Sequence, residues 1–170
     1  MNTRVMRKLT LTALFAALIC VMTFVIHVPL GAGGYVHLGD GIIYLAAAFL
    51  PTPYAMAAAG VGAALADLFA GFPIYLPFTM VIKALMVLPF TAKKETVLCV
   101  RNVIATVTAG VICTVGYYLT DVLLYGSWVA PLASLFMGSL AQSGAAVVLF
   151  LACGALLDRV HMKRLWRRFE

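Results

Sequence analysis

The side chains with chemical potential in this sequence are few, and most of them sit in or beside apolar runs. The stretch Gly34–Gly41, GYVHLGDG, sets an aromatic (Tyr35), an imidazole (His37) and a carboxylate (Asp40) among glycines. With Gly33 and Gly39 among those glycines, the backbone there can approach a ligand closely, as a lid over a pocket would. Lys83 lies inside another apolar run, Asp67 and Asp121 lie near the ends of two more, and Tyr117 and Gln142 add an aromatic face and an amide. A lysine within a membrane helix costs roughly 2.5–3.5 kcal/mol on insertion scales until an anion meets it. Together these groups suit recognition of a small, planar, polar ligand that offers both donors and acceptors. Two plainer readings stand beside that one: the glycine-rich stretch as a flexible connection at a membrane surface, and Lys83 as half of a salt bridge to Asp67.

Covalent and metal chemistry have little to work with. The four cysteines, Cys20, Cys99, Cys113 and Cys153, are far apart, with no CxxC and no Cys/His cluster of metal-ligand spacing. There is no GxSG, no HExxH and no Walker-type loop, so neither an intramembrane enzyme nor a nucleotide site is expected, and no cofactor or metal is called for. A proton-coupled exporter or a scaffold subunit is the other alternative. An ion relay would carry polar groups through the full membrane thickness, and here one half is almost purely apolar.

The elements that hold these residues are membrane helices. Of the 170 residues 64% are apolar and 11% charged, and the mean hydropathy is +1.06, far outside the range of water-soluble domains. No polar stretch divides the chain, so residues 1–170 read as one transmembrane unit, and the first apolar run lacks a signal-cleavage site and reads as a retained helix. The fold expected is all-α, with six transmembrane helices at about 9–28, 41–51, 54–70, 77–90, 102–124 and 131–157 and prolines near several starts. Six crossings put both termini and the second and fourth loops on one side, which then holds eleven of the twelve Lys and Arg residues, all but Lys83. That is the cytoplasmic side by the positive-inside bias. Asp40, Asp67, Lys83 and Asp121 fall in the outer half, which reads as a pocket open to the outside.

On the inner side, Ala13 and Ala17 repeat at i, i+4 on the first helix and leave a shallow groove where a second helix can come close. Internal packing is the plainer reading of that pair. A small chain with a one-sided pocket and no energy source implies partners.

The segment GYVHLGDGIIYLAAAFLP, followed by ALADLFAGFPIYLPFTMVIKAL, resembles the substrate-binding S components of energy-coupling factor (ECF) vitamin transporters, in the riboflavin or hydroxymethylpyrimidine subgroup. The likeness covers residues 9–90 well, and thereafter mainly length and hydropathy. It implies a multi-pass protein of the bacterial plasma membrane that binds a vitamin or precursor from outside, with loop 1 as a lid. It also implies assembly with a transmembrane T subunit, docked at Ala13 and Ala17, and with two ATPase subunits that hydrolyse ATP. No tryptophan-rich loop marks a thiamine binder, and the metal-ligand segment of metal-ion S components is missing. A pyridoxine-like or hydroxymethylpyrimidine-like ring is the first substrate expected, with riboflavin second.

Overall fold

A computed structural model of the chain describes residues 3–30, 34–132 and 138–167. Gly33 of the glycine-rich stretch, residues 133–137 of the expected sixth helix, Arg168 and the side chain of Tyr35 lie outside the described part. The elements are α1 (Thr3–Phe24), β1 (His27–Leu30), β2 (Gly34–His37), α2 (Gly39–Phe49), α3 (Thr52–Phe69), α4 (Leu76–Leu85), α5 (Val100–Tyr125), α6 (Leu140–Arg159) and α7 (Met162–Arg167). The breaks follow the chemistry of the breakers. Pro51 stands before α3 and Pro53 in its first turn, Pro77 opens α4, and α5 stops at Gly126 in the left-handed conformation, with φ 65°.

The bundle is built around α2. All eleven of its residues are buried, and it packs against α1, α3 and α6. Such a helix is hydrophobic on every side because it has no solvent or lipid face. Small residues bring the neighbours close. A Cβ on Gly41 would lie 2.6 Å from Leu149, and one on Gly62 would lie 2.5 Å from the carbonyl oxygen of Ala16. One turn beyond Asp40, Tyr44 stacks on Phe90 with centroids 5.1 Å apart, and Phe150 meets both rings edge-on.

The outer faces are apolar too: Leu14, Val107, Val111 and Leu123 are all exposed. Lipid, not water, is the medium that fits such a surface. Three helices, α1, α5 and α6, are long and apolar enough to cross a membrane, while α2 and α4 are shorter. At 1.5 Å per residue α2 is about 16 Å long, half of a hydrocarbon core of about 30 Å.

Three expectations change here. The first helix ends at Phe24, and residues 27 and 28, expected to continue it, are strand. The glycine-rich stretch is the second half of an antiparallel hairpin, with His27 opposite His37, Val28 opposite Val36, Pro29 opposite Tyr35 and Leu30 opposite Gly34. So the fold is all-helical apart from this one small hairpin. The strands pair because the β-branched Val28 and Val36 stand opposite each other, and pairing satisfies backbone groups that an open loop would leave to water. Finally, α4 ends at Leu85 and not near 90, which moves Lys83 from mid-helix to the last turn.

At the end of the bundle that carries the basic residues, the connection 86–99 is held by side chains. Asn102 accepts the Thr91 N–H at 2.8 Å and donates to the carbonyls of Thr91 and Val97. Asp158 accepts the amides of Val97 and Leu98 at 2.7 and 2.9 Å. In α7, Trp166 lies edge-on to Phe15 and Phe49, and Lys163 is buried over the Phe49 ring.

Candidate binding site

Lys83 finds its anion on α2. Its Nζ donates to Asp40 Oδ1 at 2.7 Å, and both side chains are essentially without exposure. The other carboxylate oxygen, Oδ2, accepts from Gln142 Nε2 at 2.6 Å and from the Cys113 thiol at 3.8 Å. Lys83 also donates to Cys113 Sγ at 3.4 Å and stands 5.1 Å from the centroid of the Tyr117 ring. Asp40 occupies the first turn of α2 and Lys83 the last turn of α4, so each charge sits at the helix end whose dipole favours it. The ion pair therefore joins α4 to α2; the salt bridge considered for Lys83 from the sequence was with Asp67, which is buried on α3.

Two positions before Asp40 bear on its setting. His37, buried at the end of β2, accepts the Gly39 N–H on Nδ1 at 3.1 Å and so fastens the hairpin to the start of α2. Gly39 is pressed against α1: a Cβ there would collide with Thr23 Oγ1. The hydroxyls of Thr23, Tyr44 and Ser143 are buried and have no hydrogen-bond partner among the described residues. They are unspent donors and acceptors near the pair, since Tyr44 is one turn from Asp40 and Ser143 is next to Gln142.

The pair is the inner rung of a polar ladder along the α4–α5 seam. Going outward, Thr79 Oγ1 and Tyr117 OH are 3.1 Å apart, and then Tyr75 OH donates to Asp121 Oδ1 at 2.9 Å and lies 3.2 Å from Tyr125 OH. Residues 75, 79 and 83 on one side and 113, 117 and 121 on the other repeat every four positions, so each set lies along one helix face. The sequence reading had Lys83, Tyr117 and Asp121 but missed Tyr75 as a partner, and missed Thr79 and Cys113. The shared four-residue spacing was the signal that could have found them.

Of the residues expected to form a site, Asp40, Lys83, Tyr117 and Gln142 come together, with His37 and Gly39 adjoining. Asp121 belongs to the outer rung, two turns away, and Asp67 is placed on α3. Tyr35 is in β2, opposite Pro29. Ala13 and Ala17 are exposed on α1, whose inward face is made by Ile19, Phe15 and Ala16.

Comparison with known proteins adds two findings. Residues 4–159 match the family model described as ECF-type riboflavin transporter, S component. A Pyrococcus woesei protein, described as an uncharacterized protein in gap 3'region, is 34% identical over 110 residues, covering 64% of this chain and 74% of its own length.

Proposed function

Because the chain belongs to the family of ECF-type riboflavin transporter S components, we propose that it captures a small heteroaromatic vitamin from outside the cell membrane and passes it to a T subunit and two ATPase subunits. The membrane-embedded chain is a transport component and not an enzyme, and ATP hydrolysis belongs to the partners. The observation that carries the reading is the polar ladder inside an otherwise apolar bundle. It gives a planar ring aromatic faces and hydrogen-bonding edges from Tyr75 and Asp121 inward to Lys83 and Asp40.

On this reading the bundle crosses the membrane six times with both termini in the cytoplasm, which puts the basic connection 86–99 inside and the hairpin outside. The hairpin is the lid. Tyr35, His37 and Gly39 close the site from above, Asp67, Tyr117, Asp121 and Gln142 line it, and Ala13 and Ala17 dock the T subunit.

Two ring sizes follow from two observations. Riboflavin is named by the family description, whereas the closely spaced donors and acceptors around Lys83 favour a pyridoxine-like or hydroxymethylpyrimidine-like ring. One set of titrations decides. The purified protein is titrated with riboflavin by flavin fluorescence quenching, and with pyridoxine and hydroxymethylpyrimidine by calorimetry. A submicromolar Kd for one of them is expected, and failure of all three to bind would remove the vitamin-capture reading for these substrates.

A further inference from the structure

The helix α4 is short, and this leaves part of α5 uncovered. Its contacts reach from Tyr75 against Asp121 to Lys83 against Cys113, so the half of α5 from Val100 to Val111 is flanked by the connection 86–99 instead. There a groove of about 470 Å³ opens on the surface, lined by Pro89, Val100, Arg101, Ile104, Ala105 and Thr108. Its walls are mostly apolar, with Arg101 and Thr108 as the polar members, and they continue along α5 into the exposed row Ile104, Val107 and Val111. That row faces the hydrocarbon of a bilayer.

The mouth of the groove is basic. The Arg101 side chain is exposed but not loose: Nε donates to the Pro89 carbonyl at 3.0 Å and Nη2 to the Phe90 carbonyl at 3.4 Å. A guanidinium has five N–H donors in a rigid fork. Two contacts on one side hold it in place and leave the others for a second acceptor. Lys93 and Lys94 are exposed on the same connection, while its acid, Glu95, faces Arg164 at 3.8 Å. An apolar trough with a fixed arginine in its wall, flanked by a connection that carries two exposed lysines, matches a molecule with hydrocarbon chains and an anionic phosphate head.

We propose that this groove binds one anionic phospholipid, with the phosphate on Arg101 and an acyl chain lying over Ile104 toward Val107. The lipid completes the side of the bundle that α4 is too short to cover. Charge and shape each contribute to the assignment. A zwitterionic lipid would fill the trough without using the basic mouth, and a free phosphate would use the mouth without the trough.

The test is lipid retention by the full chain in nanodiscs made of equal parts phosphatidylglycerol and phosphatidylcholine, released into mild detergent and weighed by native mass spectrometry. The wild-type protein should keep one phosphatidylglycerol in preference to phosphatidylcholine by about fivefold or more, the ratio expected for one well-placed basic residue at a lipid surface. Arg101→Gln should abolish that preference, and Arg101→Lys should keep part of it. Thr108→Phe, at an exposed position that needs no core rearrangement, should fill the trough and reduce retention of both lipids. Vitamin affinity should be unchanged in all three variants, which separates this site from the ladder. Equal retention of the two lipids by the wild type, or an undiminished preference in Arg101→Gln, overturns the proposal. So does release of the phosphatidylglycerol by millimolar inorganic phosphate, which would mark a bare anion site, or its loss on assembly with the partner subunits, which would mark a partner helix as the occupant.

Discussion

Lys83 and Asp40 show what a charge requires inside this molecule. Neither is exposed, and each is the other's counter-ion, so removing one leaves the other buried and unpaired, at a cost of about 3–5 kcal/mol. Lys83→Met should therefore lower thermal stability sharply and vitamin affinity by about tenfold or more. Adding Asp40→Asn removes the orphaned charge and should recover most of the stability. The double variant then separates the roles. Recovered stability without recovered affinity means that the pair touches the vitamin, and recovery of both means that it only holds α4 against α2. A different constraint acts at Gly39, where a Cβ would collide with Thr23 Oγ1. Gly39→Ala should cost about 1–3 kcal/mol through overpacking. Thr23→Ala alone should be nearly neutral, because its hydroxyl has no partner among the described residues, and it should rescue Gly39→Ala in part. Thermal unfolding of the four proteins checks this, and a full loss in the double variant would mean that backbone strain, not the hydroxyl, sets the cost.

Among the elements, the hairpin and α2 depend on each other. The strand β2 ends at His37, whose Nδ1 takes the N–H of Gly39, and α2 carries Asp40 into the core one residue later. A ligand that engages Asp40 or Gln142 therefore pulls on the base of the hairpin. If the hairpin closes the site, amide hydrogen exchange in residues 27–30 and 34–37 should slow when the vitamin is added, on top of the protection that strand pairing already gives. Unchanged exchange at saturating vitamin would leave the hairpin as a fixed rim. Its existence was only partly legible beforehand. The glycines, His37 and Asp40 marked the stretch, but the valines before and after the glycines were divided between a helix and a loop. A short apolar run fits either a helix end or a strand, and only the partner across the turn decides.

For the whole molecule, the function proposed above puts capture and delivery at different levels of α1, capture beside its C-terminal end at Thr23 and delivery at Ala13 and Ala17 near its middle. Ala13 and Ala17 are exposed on that helix, while its inward face packs on α3 at Gly62, so none of the described residues covers the small-residue pair. The Gly39 contact at Thr23 is six residues beyond Ala17, about 9 Å along the axis. Bulky residues at the pair should therefore spare capture. Ala13→Trp and Ala17→Trp should leave the Kd for the vitamin near the wild-type value, while co-purification with the T and ATPase subunits and ATP-dependent uptake fall together. Intact assembly in both variants would move the docking face elsewhere, and lost vitamin binding would mean that the two functions are not separated along α1.

Composition, the positions of the prolines and the distribution of Lys and Arg were sufficient to identify a helical membrane protein and to single out Lys83 as the basic residue out of place. Each of these is a local or summed property, readable without knowing what touches what. The choice of Asp40 over Asp67 as its partner, the thiol of Cys113 and the hydroxyl of Thr79 on the same seam, and the burial of α2 on every side were not readable in that way. They depend on which faces of α2, α4, α5 and α6 meet, and that is decided by close approaches such as Gly41 on Leu149 and Gly116 on Ile82. Spacing along one helix tells which residues share a face, but the neighbour that face meets is selected by packing of the whole bundle.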